Sequence, residues 1–251
     1  MGRRRAVSLV VAGGVASLCL AAPAPATAGR AATTVAGGDV RQGQELFVTG
    51  CSTCHGVRGE GTQRAPSLLG VGAASVDFWV STGRMPLKSS GGRQAVRKPP
   101  GYDRAQIDDL IAYVTSLEPG GPGIPELQSA SADLVEGGEL FRANCAACHG
   151  AVGIGGALAS GRRAPPLRPA TARQVSEAIR IGPGAMPSFG PDVFGREQLS
   201  SIVRYVESLD HPDDRGGSGL GHAGPIPEGL VGWLAGLGAL LLACYWIGER
   251  E

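Results

Sequence analysis

Aromatic side chains are scarce in this sequence, at 5% of residues, whereas glycine fills 41 of 251 positions. Glycine loses the most freedom on folding and offers no side chain to pack. Two small domains built from such a chain bury too little apolar surface to hold without a staple, a metal or a cofactor. A large flat cofactor would meet the deficit. An excess of one charge is missing too, the formal net charge being +1. With that balance, and with no aromatics interleaved among the few Lys/Arg clusters, nucleic acid is excluded as a ligand. Nor is there a disulfide framework. The six cysteines fall into two CxxC pairs and two singletons, Cys19 and Cys244, each inside an apolar stretch where a thiol acts as a small hydrophobe.

Two apolar runs flank the chain. Arg3, Arg4 and Arg5 precede a run from Ala6 to Ala22, and Pro23 to Ala28 ends in an A-x-A pattern. This is the layout of a secretory signal, and cleavage after Ala28 is expected, with a retained anchor as the alternative for residues 1–28. Leu230 to Ile247 gives 18 residues without a charge. As a helix this spans about 27 Å, close to the ~30 Å of a hydrocarbon core. No domain follows that could bury it, so a transmembrane helix over 230–247 is expected. Basic residues at both ends place both termini of the precursor in the cytoplasm and the intervening residues on the outer face. The stretch 211–229, rich in Gly, Pro and Asp, reads as a flexible tether in which His211 and His222 are solvated spacers.

Between these runs the chain repeats itself. Gly43, Phe47 and Cys51 recur as Gly137, Phe141 and Cys145 at a constant offset of 94. Four-residue steps place each trio along one helical face. Each half then has a Gly-rich loop, an Ala-Pro (Ala65-Pro66; Ala164-Pro165), a Met-Pro (Met85-Pro86; Met186-Pro187) and a closing helix. The closing helices share an apolar stripe: Ile107, Leu110, Ile111, Val114 and Leu117, matched by Leu199, Ile202, Val203, Val206 and Leu209. Asp103 with Gln106 predicts a capping box on the first, while Gly195 predicts a weaker cap on the second. Residues 119–132, with Pro119-Gly-Gly-Pro-Gly and Pro125, form the linker between domains expected at 39–118 and 133–210.

Cys51-Ser-Thr-Cys54-His55 and Cys145-Ala-Ala-Cys148-His149 are CxxCH sequences, the signature of c-type haem attachment. Two thiols about one helical turn apart can each bond a vinyl group of one porphyrin, and the adjacent His can reach the iron. CxxC alone also serves zinc sites and thioredoxin-like centres. Two copies, each followed by His on a chain with a secretory segment, favour two covalently bound haem c groups.

The sixth iron ligand decides the chemistry, because a saturated iron transfers electrons whereas an open one binds small molecules. Of three methionines one is the initiator. Met85 and Met186 stand at equivalent places, 30 and 37 residues beyond His55 and His149, each followed by Pro. Both are candidate axial ligands, with core filler as the alternative role. His/Met ligation raises the haem potential. The carbonyls of Pro66 and Pro165 are candidates to accept the second imidazole N–H of His55 and His149, with loop rigidifier as the alternative role of these prolines. Gly43 with Phe47 and Tyr113, and Gly137 with Phe141 and Tyr205, would let the first and last helices of each domain cross closely.

With these residues in view, each half resembles a class I cytochrome c domain. The whole chain, through Ser81-Thr-Gly-Arg-Met-Pro86, Gly138-Glu-Leu-Phe-Arg142, Gly155-Gly-Ala157 and Gly224-Pro-Ile-Pro-Glu-Gly229, is similar to the dihaem cytochrome c subunit of the actinobacterial cytochrome bcc complex. The match covers most of residues 39–251 and departs mainly in loops and in the short basic N-terminus. It implies an all-α fold of two tandem cytochrome c-like domains with a C-terminal transmembrane helix. It also implies haem on Cys51 and Cys54 with His55 and Met85, and on Cys145 and Cys148 with His149 and Met186, and no independent catalytic site. The partners it implies are a cytochrome b subunit, a Rieske iron–sulfur subunit as electron donor and the copper centre of an aa3-type oxidase as acceptor, in a menaquinol-oxidising supercomplex. The alternatives are the cytochrome subunit of another membrane dehydrogenase and a dihaem peroxidase, which the two Met-Pro positions oppose.

Overall fold

The computed structural model describes residues 37–87, 94–210, 212 and 225–249. The expected signal segment with Cys19, and the tether histidines His211 and His222, lie outside these residues. The regular structure of the described residues is helical apart from one two-residue antiparallel ladder, β1 (Gly156–Ala157) with β2 (Arg163–Ala164).

Each domain opens with a helix capped by aspartate. In α1 (Val40–Gly50) the Asp39 carboxylate accepts from the amides of Arg41 and Gln42, and in α5 (Leu134–Asn144) Asp133 accepts from those of Val135 and Glu136. These caps satisfy amides that have no partner inside the helix. Single helical turns follow, α2 (Ser52–His55) and α6 (Ala146–His149). The closing helices are α4 (Arg104–Leu117) and α8 (Arg196–Ser208). Asp103 and Gln106 form the reciprocal capping box on α4. On α8 only half of that box exists, the Gly195 amide donating to Gln198, because glycine has no side chain to answer.

The opening helix crosses the closing helix at a glycine in both domains. A Cβ on Gly43 would lie 2.0 Å from the Asp109 carbonyl oxygen, and one on Gly137 would lie 1.9 Å from that of Ser201. One turn on, Phe47 packs on Tyr113 with ring centroids 5.2 Å apart, and Phe141 on Tyr205 at 5.3 Å. Around these crossings sit the two cores, with Ile107, Leu110, Ile111 and Val114 buried in the first and Leu199, Ile202, Val203 and Val206 in the second.

Two middle helices, α3 (Ala73–Ser81) and α7 (Ala172–Ile181), were not legible as such, and they pack on each other across the domains. The linker is a fastened strap. Pro122 accepts from the Ala74 amide at 3.1 Å on one side. On the other, the amides of Gln128 and Asp133 each donate to a serine hydroxyl of α8, Ser200 and Ser201, at 2.9 Å.

The last helix, α9 (Pro225–Gly248), begins five residues before the expected start, so 225–229 belong to the helix and not to the tether. The cause is local. Proline's fixed φ suits the first helical turn, where an amide hydrogen is not needed, and Glu228 favours the positive end of the helix dipole. Its 24 residues extend about 36 Å. The stretch Ile226–Gly248 has mean hydropathy 2.0 and no part buried against the rest of the chain, which makes it a candidate membrane span.

At the contact between α3 and α7, Asp77 and Glu177 are fully buried. Arg173 Nε lies 2.6 Å from Asp77 Oδ2 and 3.3 Å from Glu177 Oε1. Arg104 reaches Asp77 Oδ1 at 2.8 Å and Asp108 at 2.7 Å. Burial first, then the charge of Asp77 and a hydrogen bond to it, push the Glu177 carboxyl up to about 9 against the pull of Arg173.

Two outcomes are expected. Gly137→Ala should cost about 1–3 kcal/mol in thermal unfolding, since the two backbones must separate to admit a methyl group. Glu177 has a folded-state pKa above its unfolded value, so its contribution to stability is complete below the ordinary carboxylate range and is lost as pH rises toward about 9. Glu177→Gln keeps the shape and removes the titration. The unfolding free energy measured from pH 5 to 9 should therefore fall less steeply in the variant, by at most about 1.4 kcal/mol per pH unit. Equal slopes would show that Glu177 is ionised throughout.

Candidate functional site

Each CxxCH segment follows its opening helix after a bend at the first cysteine, whose amide still bonds back to that helix. The Cys51 amide donates to Phe47 and the His55 amide to Cys51, at 2.8 and 3.0 Å; Cys145 and His149 repeat this with Phe141 and Cys145 at 2.8 and 2.9 Å. The first cysteine thus stands one turn beyond the buried phenylalanine. The second stands a further turn on, its amide donating to the first cysteine's carbonyl at 3.1 Å in both domains. Cys51 and Cys145 are half-buried, while Cys54 and Cys148 are exposed.

Burial, and after it the neighbouring cysteine, push the thiols of Cys51 and Cys145 up to about 11. That is opposite to the lowered pKa of a thioredoxin-like nucleophile. Among the described residues no three His, Cys, Asp or Glu side chains converge as a metal cage.

The loop after each histidine turns back on it. Gly61 and Gly155 donate their amides to the carbonyls of His55 and His149 at 2.7 and 2.8 Å. This brings Pro66 and Pro165 alongside, and each accepts from the imidazole Nδ1, at 2.8 Å from His55 and 3.0 Å from His149. A carbonyl only accepts, so Nδ1 carries the proton and Nε2 presents a lone pair. Burial also lowers the pKa of His149, more than the bond to Pro165 raises it, which favours the neutral ring.

In the second domain the candidate residues come together around one cavity of about 220 Å3. Cys145, Cys148, His149 and Met186 line it, with Phe141, Ile202 and Val206 as apolar wall. Two thiols, an imidazole lone pair, a thioether and greasy walls are the donor set and surroundings a haem c requires. In the first domain Cys51 packs on the core, and Met85 stands half-buried four residues after the end of α3, as Met186 stands five after α7. The Met85 amide donates to Trp79 at 2.9 Å and the Met186 amide to Pro183 at 3.2 Å, so different turns carry the two methionines. The cavity has one unexpected wall: Phe78, Arg84, Gln94 and Arg97 line it from the first domain. Arg84 belongs to the Ser81–Pro86 segment, but nothing in its spacing signals that it reaches the other domain.

Comparison with known proteins agrees with the duplication. The family described as cytochrome c matches residues 40–118, and the one described as cytochrome c oxidase, cbb3-type, subunit III matches 132–206. A "Cytochrome bc1 complex cytochrome c subunit" of Mycobacterium tuberculosis is 41% identical over 98% of this chain and 89% of its own length. The protein of that name from Corynebacterium diphtheriae is 38% identical over 84% of this chain and 81% of its own. A "Cbb3-type cytochrome c oxidase subunit CcoP" of an Azospirillum species is 31% identical over 66% of this chain and 61% of its own.

Proposed function

The chain belongs to the family of cytochrome bc1 complex cytochrome c subunits, and from that premise we propose that it carries two haem c groups and relays electrons at a membrane. One group is attached to Cys51 and Cys54 with His55 and Met85 on its iron, the other to Cys145 and Cys148 with His149 and Met186. The observation that carries this reading is the shared construction of the two sites, above all the imidazole held by a proline carbonyl in each domain.

When bound, each haem supplies a one-electron iron couple. The chain's own groups prepare the place for it. The Pro66 and Pro165 carbonyls fix the tautomer and make the imidazole a better donor. The exposed second cysteine and the half-buried first present two thiols about one turn apart. Apolar walls exclude water and, with thioether ligation, favour reduced iron. The chain has no catalytic site of its own in this reading.

Its donor is the Rieske iron–sulfur centre of a complex that also holds a cytochrome b subunit, and its acceptor is the copper centre of an aa3-type oxidase. The haem domains lie on the extracytoplasmic face and α9 anchors them. Two fused domains then do the work of a diffusing cytochrome c.

Two measurements test this. Met186→Ala should leave both haems covalently attached, lower one potential by on the order of 0.1 V within the ~0.8 V that axial ligands span, and admit carbon monoxide to one iron. Unchanged potential and ligand access would remove Met186 from the iron, and stoichiometric carbon monoxide binding by the unmodified protein would favour a peroxidase. Mild-detergent purification of the tagged chain from its native membrane should recover cytochrome b, a Rieske protein and oxidase subunits with menaquinol-dependent oxygen uptake. Recovery with a flavin or quinoprotein dehydrogenase instead would keep the haem chemistry and replace the donor.

A further inference from the structure

The cavity beside Cys145 and His149 is walled in part by cations from the other domain. Arg84 and Arg97 line it together with Arg163, and among the described residues no Asp or Glu does. Arg84 Nη1 is buried without a hydrogen-bond partner among the described residues, and its guanidinium lies 5.0 Å from the centre of the Phe78 ring. Arg97 stands near enough to repel it. The hydrogen bond of Arg97 goes to a neutral group, Nη2 donating to Gln174 Oε1 at 2.8 Å. Gln94 pins this segment to the second domain, its Nε2 donating to the Arg163 carbonyl at 2.8 Å and its Oε1 accepting from the Arg163 amide at 3.1 Å.

Two like charges facing one apolar cavity repel each other, and a desolvated guanidinium with an idle N–H carries a further cost. A pair of carboxylates at that place removes both penalties, and charge-assisted hydrogen bonds to Arg are among the strong ones. A haem has such a pair in its two propionates. We propose that Arg84 and Arg97 of the first domain hold the propionates of the haem bound in the second. This rests on the reading above that a haem occupies the Cys145–His149 site. Arg84 immediately precedes Met85, so one dipeptide serves both cofactors, its first side chain at the second haem's carboxylates and its next at the first haem's iron. The two sites are thereby mechanically joined.

The test is a spectroelectrochemical titration of the detergent-solubilised full-length holoprotein. It should resolve two one-electron waves, and the one displaced by Met186→Ala belongs to the second domain. Cations beside a propionate favour the more negative, reduced state. Arg97→Gln and Arg84→Gln should each lower that wave so that the reduced-to-oxidised ratio at fixed potential falls about tenfold, ~59 mV for one electron. Haem content should stay at two per chain, and Arg97→Lys, which keeps the charge, should restore most of the shift. Arg97 is exposed on an irregular segment, so its variants decide the matter if Arg84→Gln fails to fold. If the Gln variants leave the second-domain wave in place, or move only the wave that answers to Met85→Ala, the propionate role is wrong while the two-haem reading stands. Fewer than two haems in the unmodified chain, or no wave that answers to Met186→Ala, overturns that reading and this inference with it.

Discussion

The contact of each domain's first helix with its last, backbone against backbone at a glycine, is the constraint on which the rest of the structure depends. Gly43 under Asp109 and Gly137 under Ser201 leave no space for a methyl group. One turn later a phenylalanine wedges against a tyrosine, and one turn after that comes the first cysteine. The position of the thiol is therefore tied to the crossing by two helical turns of rigid backbone. The scarcity of aromatics fits this design. Each domain uses one Phe–Tyr pair to set the crossing and leaves apolar space beyond it, seen in the second domain as the cavity beside Cys145. A chain that filled that space with side chains would have a better core and no room for a cofactor.

What was legible in the sequence was local or repeated. CxxCH, the Gly–Phe–Cys steps, the closing stripes and the Asp103 cap all follow from spacing within a few residues, and duplication allowed each to be checked against its twin. The two proline carbonyls were also found by position, because a ligand histidine needs a partner for its other nitrogen. The middle helices were missed for a physical reason. Val175, Ala178 and Ile179 do form a short apolar stripe in α7, but Gln174, Ser176 and Glu177 are buried as well, and Asp77 is buried in the middle of a mostly apolar α3, so in neither helix does polarity mark the exposed face. Their buried polar groups make sense only opposite one another. The start of α9 was misplaced because Pro225 and Pro227 read as loop residues, although the first turn is where a helix tolerates them. Arg84 and Arg97 show no period at all, and their meaning lies in a cavity whose second-domain walls begin more than 40 positions away.

The interface between the domains is built on charge where an apolar contact would have been simpler. Burying the Asp77 carboxylate with two arginines brings little net stability, because desolvation offsets most of the Coulomb attraction. Apolar faces of two helices can slide by a turn and still bury similar area. The Asp77 carboxylate cannot slide, since one oxygen is engaged by Arg104 of its own domain and the other by Arg173 of the second. Gln174 adds a neutral version of the same constraint by donating to Ser81 across the interface while accepting from Arg97. The polar network thus fixes orientation.

Fixed orientation has a functional consequence for a chain that relays electrons between two sites. Transfer between cofactors depends steeply on their separation, so a pair of domains that rocked on a flexible linker would pass electrons at a rate set by the rocking. Here the strap from Pro119 to Asp133 is hydrogen-bonded to both domains, and the wall of the second site contains side chains of the first. Separating the domains would break the linker contacts, leave Asp77 without Arg173, and open the cavity beside His149 to water. With a haem bound there as proposed, water would raise the local dielectric and weaken the preference for reduced iron that apolar walls would confer. The same contacts that hold the distance between the sites therefore also hold the environment of the second one, and a variant that loosened the interface would change potential and transfer rate together.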